Sequence, residues 1–292
     1  MRWRRGYRSR HVRDVRGATA PSRMRGMPIG LAGGGGVGAI LVLLLVLFGG
    51  NLFGGDLDVP GIERFPQAPA AGEQPPSGPD PEADMVSFVS FVLDDAQSTW
   101  TRLFQESGRT YRPAELVLFR DAIQSGCGYA TSEVGPFYCG GDETIYLDLG
   151  FFRELRDRFE APGDFAQAYV VAHEVAHHVQ LLLGISNRVQ RLSGENPDEA
   201  NELSIAQELQ ADCLAGVWGR TTYQRDILEG GDLQEGLDAA AAIGDDRIQE
   251  QATGQIDPDT WTHGSSEQRT EWFRTGFDTG DADRCDTFTV FT

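Results

Sequence analysis

The chain has 292 residues, 40% of them apolar, and a formal net charge of -19; that length suits one sizeable domain or two small ones. The charge is unevenly placed, because residues 1–28 hold nine arginines and one acid, which leaves 16 arginines against 43 Asp and Glu, a balance of -27, in residues 29–292. A body so acidic repels phosphate backbones, which counts against nucleic acid as a partner.

The basic residues 1–28 read as a cytoplasmic tail, since cytoplasmic flanks of membrane spans are arginine-rich. The span itself is expected at residues 29–53, an uncharged stretch whose most apolar part is 39–48. As a helix it reaches about 37 Å, enough to cross a bilayer with some tilt. A cleaved signal peptide is the competing reading, because the strongly apolar part alone has signal-peptide length. The long n-region and the lack of a small-x-small site just after Phe48 favour an uncleaved anchor. Residues 54–84, rich in Pro, Gly and acids, read as a linker. The expected topology is single-pass, with the N-terminus cytoplasmic and a domain of residues 85–292 outside the cytoplasm.

Within that domain, residues 85–104 and 113–123 carry apolar side chains at mixed helical spacing and predict two helices. The stretch 127–139 is turn-rich, and 144–149 then alternates like a half-buried strand, placed at a sheet edge where an extended peptide can add. The strongest helix signal begins at Asp164, read as a cap with Gln167 three residues on, and runs to Gly184. Further helices are predicted from Pro197 past Trp218, from Leu233 to Ile243, and from the Ser265-Ser266-Glu267-Gln268 cap towards Phe277. The four cysteines all follow the apolar stretch. An even number in an exported domain predicts disulfides, with Cys127–Cys139 as first choice and Cys213–Cys285 as the remainder.

The capped helix contains His173-Glu174-Val175-Ala176-His177, the pattern HExxH. Residues four apart share a helix face, so both imidazoles can address one metal ion while Glu174 reaches a water on it. The alternative is a solvated helix face without chemistry. A catalytic zinc needs a third protein ligand and an open fourth position. Glu208 is the candidate: Asp212 follows four residues on, suited to accept the other ring N–H of a ligating histidine. Glu195, Glu199 and Glu202 compete for the role but have no aspartate at that spacing. His263 or Arg269 is the candidate donor to a developing oxyanion, although His263 also reads as a further ligand or as a loop residue. His178 lies about 100° round the helix from His177 and is expected to face away from the metal. The Asp245-Asp246 pair reads as a solvated helix-end or loop feature.

These motifs, with Cys-Gly-Tyr-Ala at 127–130, Gly-Pro-Phe-Tyr-Cys at 135–139, Glu-Leu-Gln-Ala-Asp-Cys at 208–213 and His-Gly-Ser-Ser-Glu-Gln-Arg at 263–269, make residues 85–292 resemble the bacterial neutral zinc metallopeptidases, a membrane-anchored group. The resemblance implies a mostly helical α+β domain, zincin-like, with a small sheet. It also implies Zn2+ on His173, His177 and Glu208, with Glu174 as general base, but it does not supply a substrate; a peptide or protein is what the hydrolytic reading of the site itself leads one to expect. An envelope scaffold protein with a structural metal is the rival, and Glu174 counts against it because a structural site has no use for a base. A regulatory or chaperone-like membrane protein is a further alternative, one that leaves Asp212 a coincidence.

Overall fold

The computed structural model describes residues 1–17 and 79–288. The predicted span at 29–53 and most of the predicted linker lie outside the described residues. Among the described residues, no helix is long and apolar enough to cross a membrane.

The order along the chain is β1 (Val12–Asp14), α1 (Ala83–Glu106), β2 (Glu115–Phe119), β3 (Ala122–Ser125), β4 (Gly128–Thr131), β5 (Phe137–Cys139), β6 (Thr144–Asp148), α2 (Phe151–Asp157), α3 (Asp164–Leu182), α4 (Ile185–Glu195), α5 (Ala200–Gln224), α6 (Asp232–Ala242), α7 (Asp245–Thr253) and α8 (Ser266–Thr279). The architecture is α+β and mostly helical, with one four-stranded sheet ordered β1-β2-β6-β5 and a separate β3–β4 hairpin. β1, β2 and β6 run parallel, and β5 closes the far edge antiparallel to β6.

Both faces of the sheet are covered. Leu116, Leu118, Ile145 and Leu147 point into the helical core, whereas Val117, Phe119 and Tyr146 pack under Phe137 and Ala130 on the opposite side. A sheet buried on both sides needs near-continuous apolar strands. This is why residues 113–123, expected to be helical, form strands instead, and why 144–149 is fully buried where half-burial was expected. Nor is β6 at an edge, since it lies between β2 and β5.

α3 occupies the centre. From Phe165 to Gln180 every residue except Gln167 is buried, and the helix packs against α1, α4, α5, α6 and β5. Its cap differs from expectation: Gly163 holds the N-cap, and the Asp164 carboxylate accepts instead from the Met1 ammonium at 2.8 and 2.9 Å. α5 and α8 pack backbone to backbone, because a Cβ on Gly276 would lie 1.8 Å from the Cys213 carbonyl oxygen and one on Gly216 would lie 2.1 Å from that of Phe273. The predicted capping box of α8, Ser265 with Gln268, is formed. The disulfides are Cys127–Cys139 and Cys213–Cys285, the expected pairing.

The described part of the expected tail is no tail. β1 pairs in register with β2, Trp3 packs edge-on against Phe88, and Tyr7 and Ser9 donate to Asp94. Arg16, buried, holds Asp14, Asp80 and Glu82, each at 2.7 Å, and so fastens residue 17 beside residue 79. Two segments that share one sheet cannot lie on opposite sides of a bilayer. In place of the expected single-pass arrangement of a cytoplasmic N-terminus and an extracytoplasmic domain, we propose that residues 1–17 and the domain share one side of any membrane. Single cysteines placed at two exposed sites, Arg5→Cys and Tyr129→Cys, are therefore expected to react alike with a membrane-impermeant maleimide in intact cells, both before lysis or both only after it. Labelling of one before lysis and the other only after would refute the shared-side arrangement.

Candidate metal centre

α3 and α5 run side by side, and their facing turns bring His173, His177 and Glu208 together. Their ligand atoms lie within 4.8 Å of one another, and all three residues are buried. The two Nε2 atoms are 3.2 Å apart, and the Glu208 oxygens lie 3.1 Å from His173 Nε2 and 3.4 Å from His177 Nε2. Tetrahedral zinc, with bonds of about 2.0–2.1 Å, spaces its ligand atoms about 3.3 Å apart. The three residues fit that ion.

The far side of each ring explains why the near side needs a cation. His173 Nδ1 lies 2.8 Å from Asp212 Oδ1, and His177 Nδ1 lies 2.9 Å from Gln180 Oε1. With both Nδ1 atoms donating, both Nε2 atoms turn lone pairs inward, beside a carboxylate. Such a cluster is stable only with a positive charge at its centre. Glu208 stays ionised, because although burial opposes its charge, His177 and His173 outweigh it and hold its pKa well below the usual carboxylate range. In the metal-free protein the charge at the centre is a proton: burial opposes it on His173, but Asp212 and Glu208 prevail and push the pKa up to about 10.

Asp212, with no exposed surface, accepts from His173, from the Tyr169 hydroxyl and from Arg269, whose Nε lies at 2.8 Å and Nη2 at 3.0 Å. Arg269 also donates to the Ile243 carbonyl. Its guanidinium is thus committed to Asp212 behind the ligands, and the expected role as oxyanion donor does not fit it. Glu174, one residue beyond His173, is buried, and burial raises its pKa against the smaller pull of the two histidines. Among the described residues its carboxylate accepts no hydrogen bond, which leaves it available as a base.

His263 lies outside the converging set but close enough for Glu208 to favour its charge. Its Nδ1 faces Asp245 Oδ1 at 3.2 Å, and Asp245 Oδ2 accepts the backbone N–H groups of Thr262, His263 and Gly264. Burial opposes a charge on His263, and Asp245 with Glu208 more than compensates, so its pKa is raised. The Asp245-Asp246 pair, expected to be solvated, instead pins this loop, Asp246 accepting from Ser266. His178 faces away from the centre, bonded to Tyr138 and to the Arg112 carbonyl. Glu195, Glu199 and Glu202 are exposed and outside the set. A second acidic group, Asp164, Asp232 and Glu235, also converges, and the Met1 ammonium lies against Asp164 and Asp232.

A family model described as "Putative neutral zinc metallopeptidase" matches residues 1–288. The chain is similar to a protein of Escherichia coli (strain K12) named "Uncharacterized protein YpfJ", at 43% identity over 290 residues, 99% of each chain. It is also similar to "Uncharacterized protein Rv2575" of Mycobacterium tuberculosis (strain ATCC 25618 / H37Rv), at 47% identity over 191 residues, which are 62% of this chain and 64% of that protein. No solved structure matches.

The raised pKa of His173 fixes a sign. Below about 10 the metal-free ring is charged, and a ligating imidazole must be neutral, so metal uptake expels a proton. Calorimetric zinc titration in buffers of different ionisation enthalpy is expected to show about one proton released per ion at about pH 7.5. No release would mean that the ring is already neutral and the charge balance drawn here is wrong.

Proposed function

The chain belongs to the neutral zinc metallopeptidase family, and from that membership and the convergence of His173, His177 and Glu208 we propose that it is a zinc-dependent peptidase of zincin-like design. The single observation that carries the reading is a buried Glu174, whose carboxylate accepts no hydrogen bond among the described residues, beside a three-ligand cluster built to hold a cation. A metal serving only structure gains nothing from that carboxylate.

His173, His177 and Glu208 would hold the zinc, which when bound would supply a Lewis acid that makes a water easier to deprotonate. Glu174 takes a proton from the attacking water, a transfer favoured by the upward shift that burial gives it, and returns that proton to the leaving amine. His263, whose Nδ1 faces Asp245 and whose charged form Asp245 favours, donates its Nε2–H to the oxyanion formed from the peptide carbonyl. Asp212 and Gln180 hold the two ligating rings in the tautomer that leaves Nε2 free. The substrate class is peptide or protein. Both disulfides suit an oxidising compartment, and we place residues 1–17 there together with the domain.

Glu174→Gln preserves shape and removes the base. Hydrolysis of a denatured protein substrate is expected to fall by about 10²- to 10⁴-fold with zinc content unchanged. Retained hydrolysis in that variant would assign the reaction to another group, and an inactive wild type with zinc bound would favour the structural-metal scaffold.

A further inference from the structure

α5 holds both ligating rings from behind, but in different ways. His173 is held directly, by Asp212. His177 is held through two glutamines in series: Gln180 Oε1 accepts from His177 Nδ1, and Gln180 Nε2 donates to the Gln207 carbonyl at 2.7 Å and to Gln210 Oε1 at 3.0 Å. Gln210 Nε2 in turn donates to the Cys285 carbonyl at 2.9 Å. Cys285 is bonded to Cys213, the residue after Asp212, and Thr287 Oγ1 donates to the Ala206 carbonyl at 2.5 Å, which seats the same C-terminal segment on α5. Gln180, Gln210, Cys213, Cys285 and Thr287 are all buried.

The polarity of this series matters. A side-chain amide can turn its oxygen toward one neighbour only while its nitrogen finds an acceptor on the other side. Gln210 presents Oε1 to Gln180 because the Cys285 carbonyl receives its Nε2. Without that carbonyl, a flipped Gln210 would set N–H against N–H, and Gln180 would keep only its bond to the Gln207 carbonyl to hold its oxygen toward His177.

We infer that Gln180 and Gln210 are positioning residues for His177, and that the Cys213–Cys285 disulfide, by fixing the Cys285 carbonyl on Gln210, makes full metal affinity a consequence of oxidation. The inference rests on the zinc-peptidase reading of the same site. In forming the bond, the two thiols give up two protons and two electrons to an acceptor disulfide, which leaves as two thiols. Both sulfurs are then buried, so the bond acts as a single maturation step that a reductant in solution does not reach. The chain before oxidation keeps its ligands but holds His177 loosely, and the peptidase stays latent wherever thiols stay reduced.

The test measures zinc affinity of the full chain by chelator competition, and ligand geometry by the visible spectrum of the cobalt-substituted protein. Wild type is compared with Gln210→Leu and with Cys213→Ser/Cys285→Ser, and Cys127→Ser/Cys139→Ser serves as the control disulfide. Both test variants are expected to bind zinc about 10- to 100-fold more weakly with an altered cobalt spectrum, while the control matches wild type. Wild-type affinity and spectrum in both test variants would overturn the inference and leave the zinc reading intact. Loss in Gln210→Leu alone would remove the disulfide from the account, and a wild type that binds no zinc would overturn both. Should the double-serine variant not fold, Gln210→Leu, which keeps the disulfide, still decides whether the relay exists.

Discussion

Asp212 is a carboxylate with no exposed surface, and the centre of the molecule is arranged around satisfying it. A buried charge is tolerated only when paired and hydrogen-bonded, and removing one partner of such a group costs about 3–5 kcal/mol. Here three helices meet: the carboxylate comes from α5, and its partners are Tyr169 and His173 from α3 and Arg269 from α8. The same contacts that make its burial tolerable set the distance between α3 and α5, and so the distance between the histidines and Glu208. Fold and site are therefore held by one network, and the close glycine contact of α5 with α8 brings Arg269 within reach of it.

The helices that carry the site were legible because their signals are local. HExxH at helical spacing, the ExxxD pair at 208 and 212 and the Ser265–Gln268 capping box each depend on residues a few positions apart. The pairing of the cysteines followed from count and spacing. β2 carries a helix-like pattern because a strand buried on both faces loses the alternation that identifies strands, and its apolar run then imitates a helix. β1 was missed for another reason: a three-residue strand in an arginine-rich segment has no pattern of its own, and only its partner β2 and the buried Arg16 network make it part of the body.

Within the site, the ligands and Asp212 were read from spacing, whereas Gln180, Tyr169 and Asp245 were not. Gln180 lies three residues after His177 and Tyr169 four before His173, so helical geometry offered a signal for both. Asp245 gave none, because its contact with His263 is made across 18 residues by a loop that it pins through three backbone N–H groups. Arg269 shows the limit in the other direction: a sequence does not tell a cation that faces substrate from one that neutralises a buried carboxylate.

The central claim is that two imidazoles and one carboxylate hold a zinc ion. X-ray absorption at the zinc edge of the purified full chain tests it most directly. The expected spectrum has only nitrogen and oxygen neighbours at about 2.0–2.1 Å, with the outer-shell scattering of two imidazoles. Scattering from sulfur at about 2.3 Å, or from a single imidazole, would contradict the assignment of His173, His177 and Glu208.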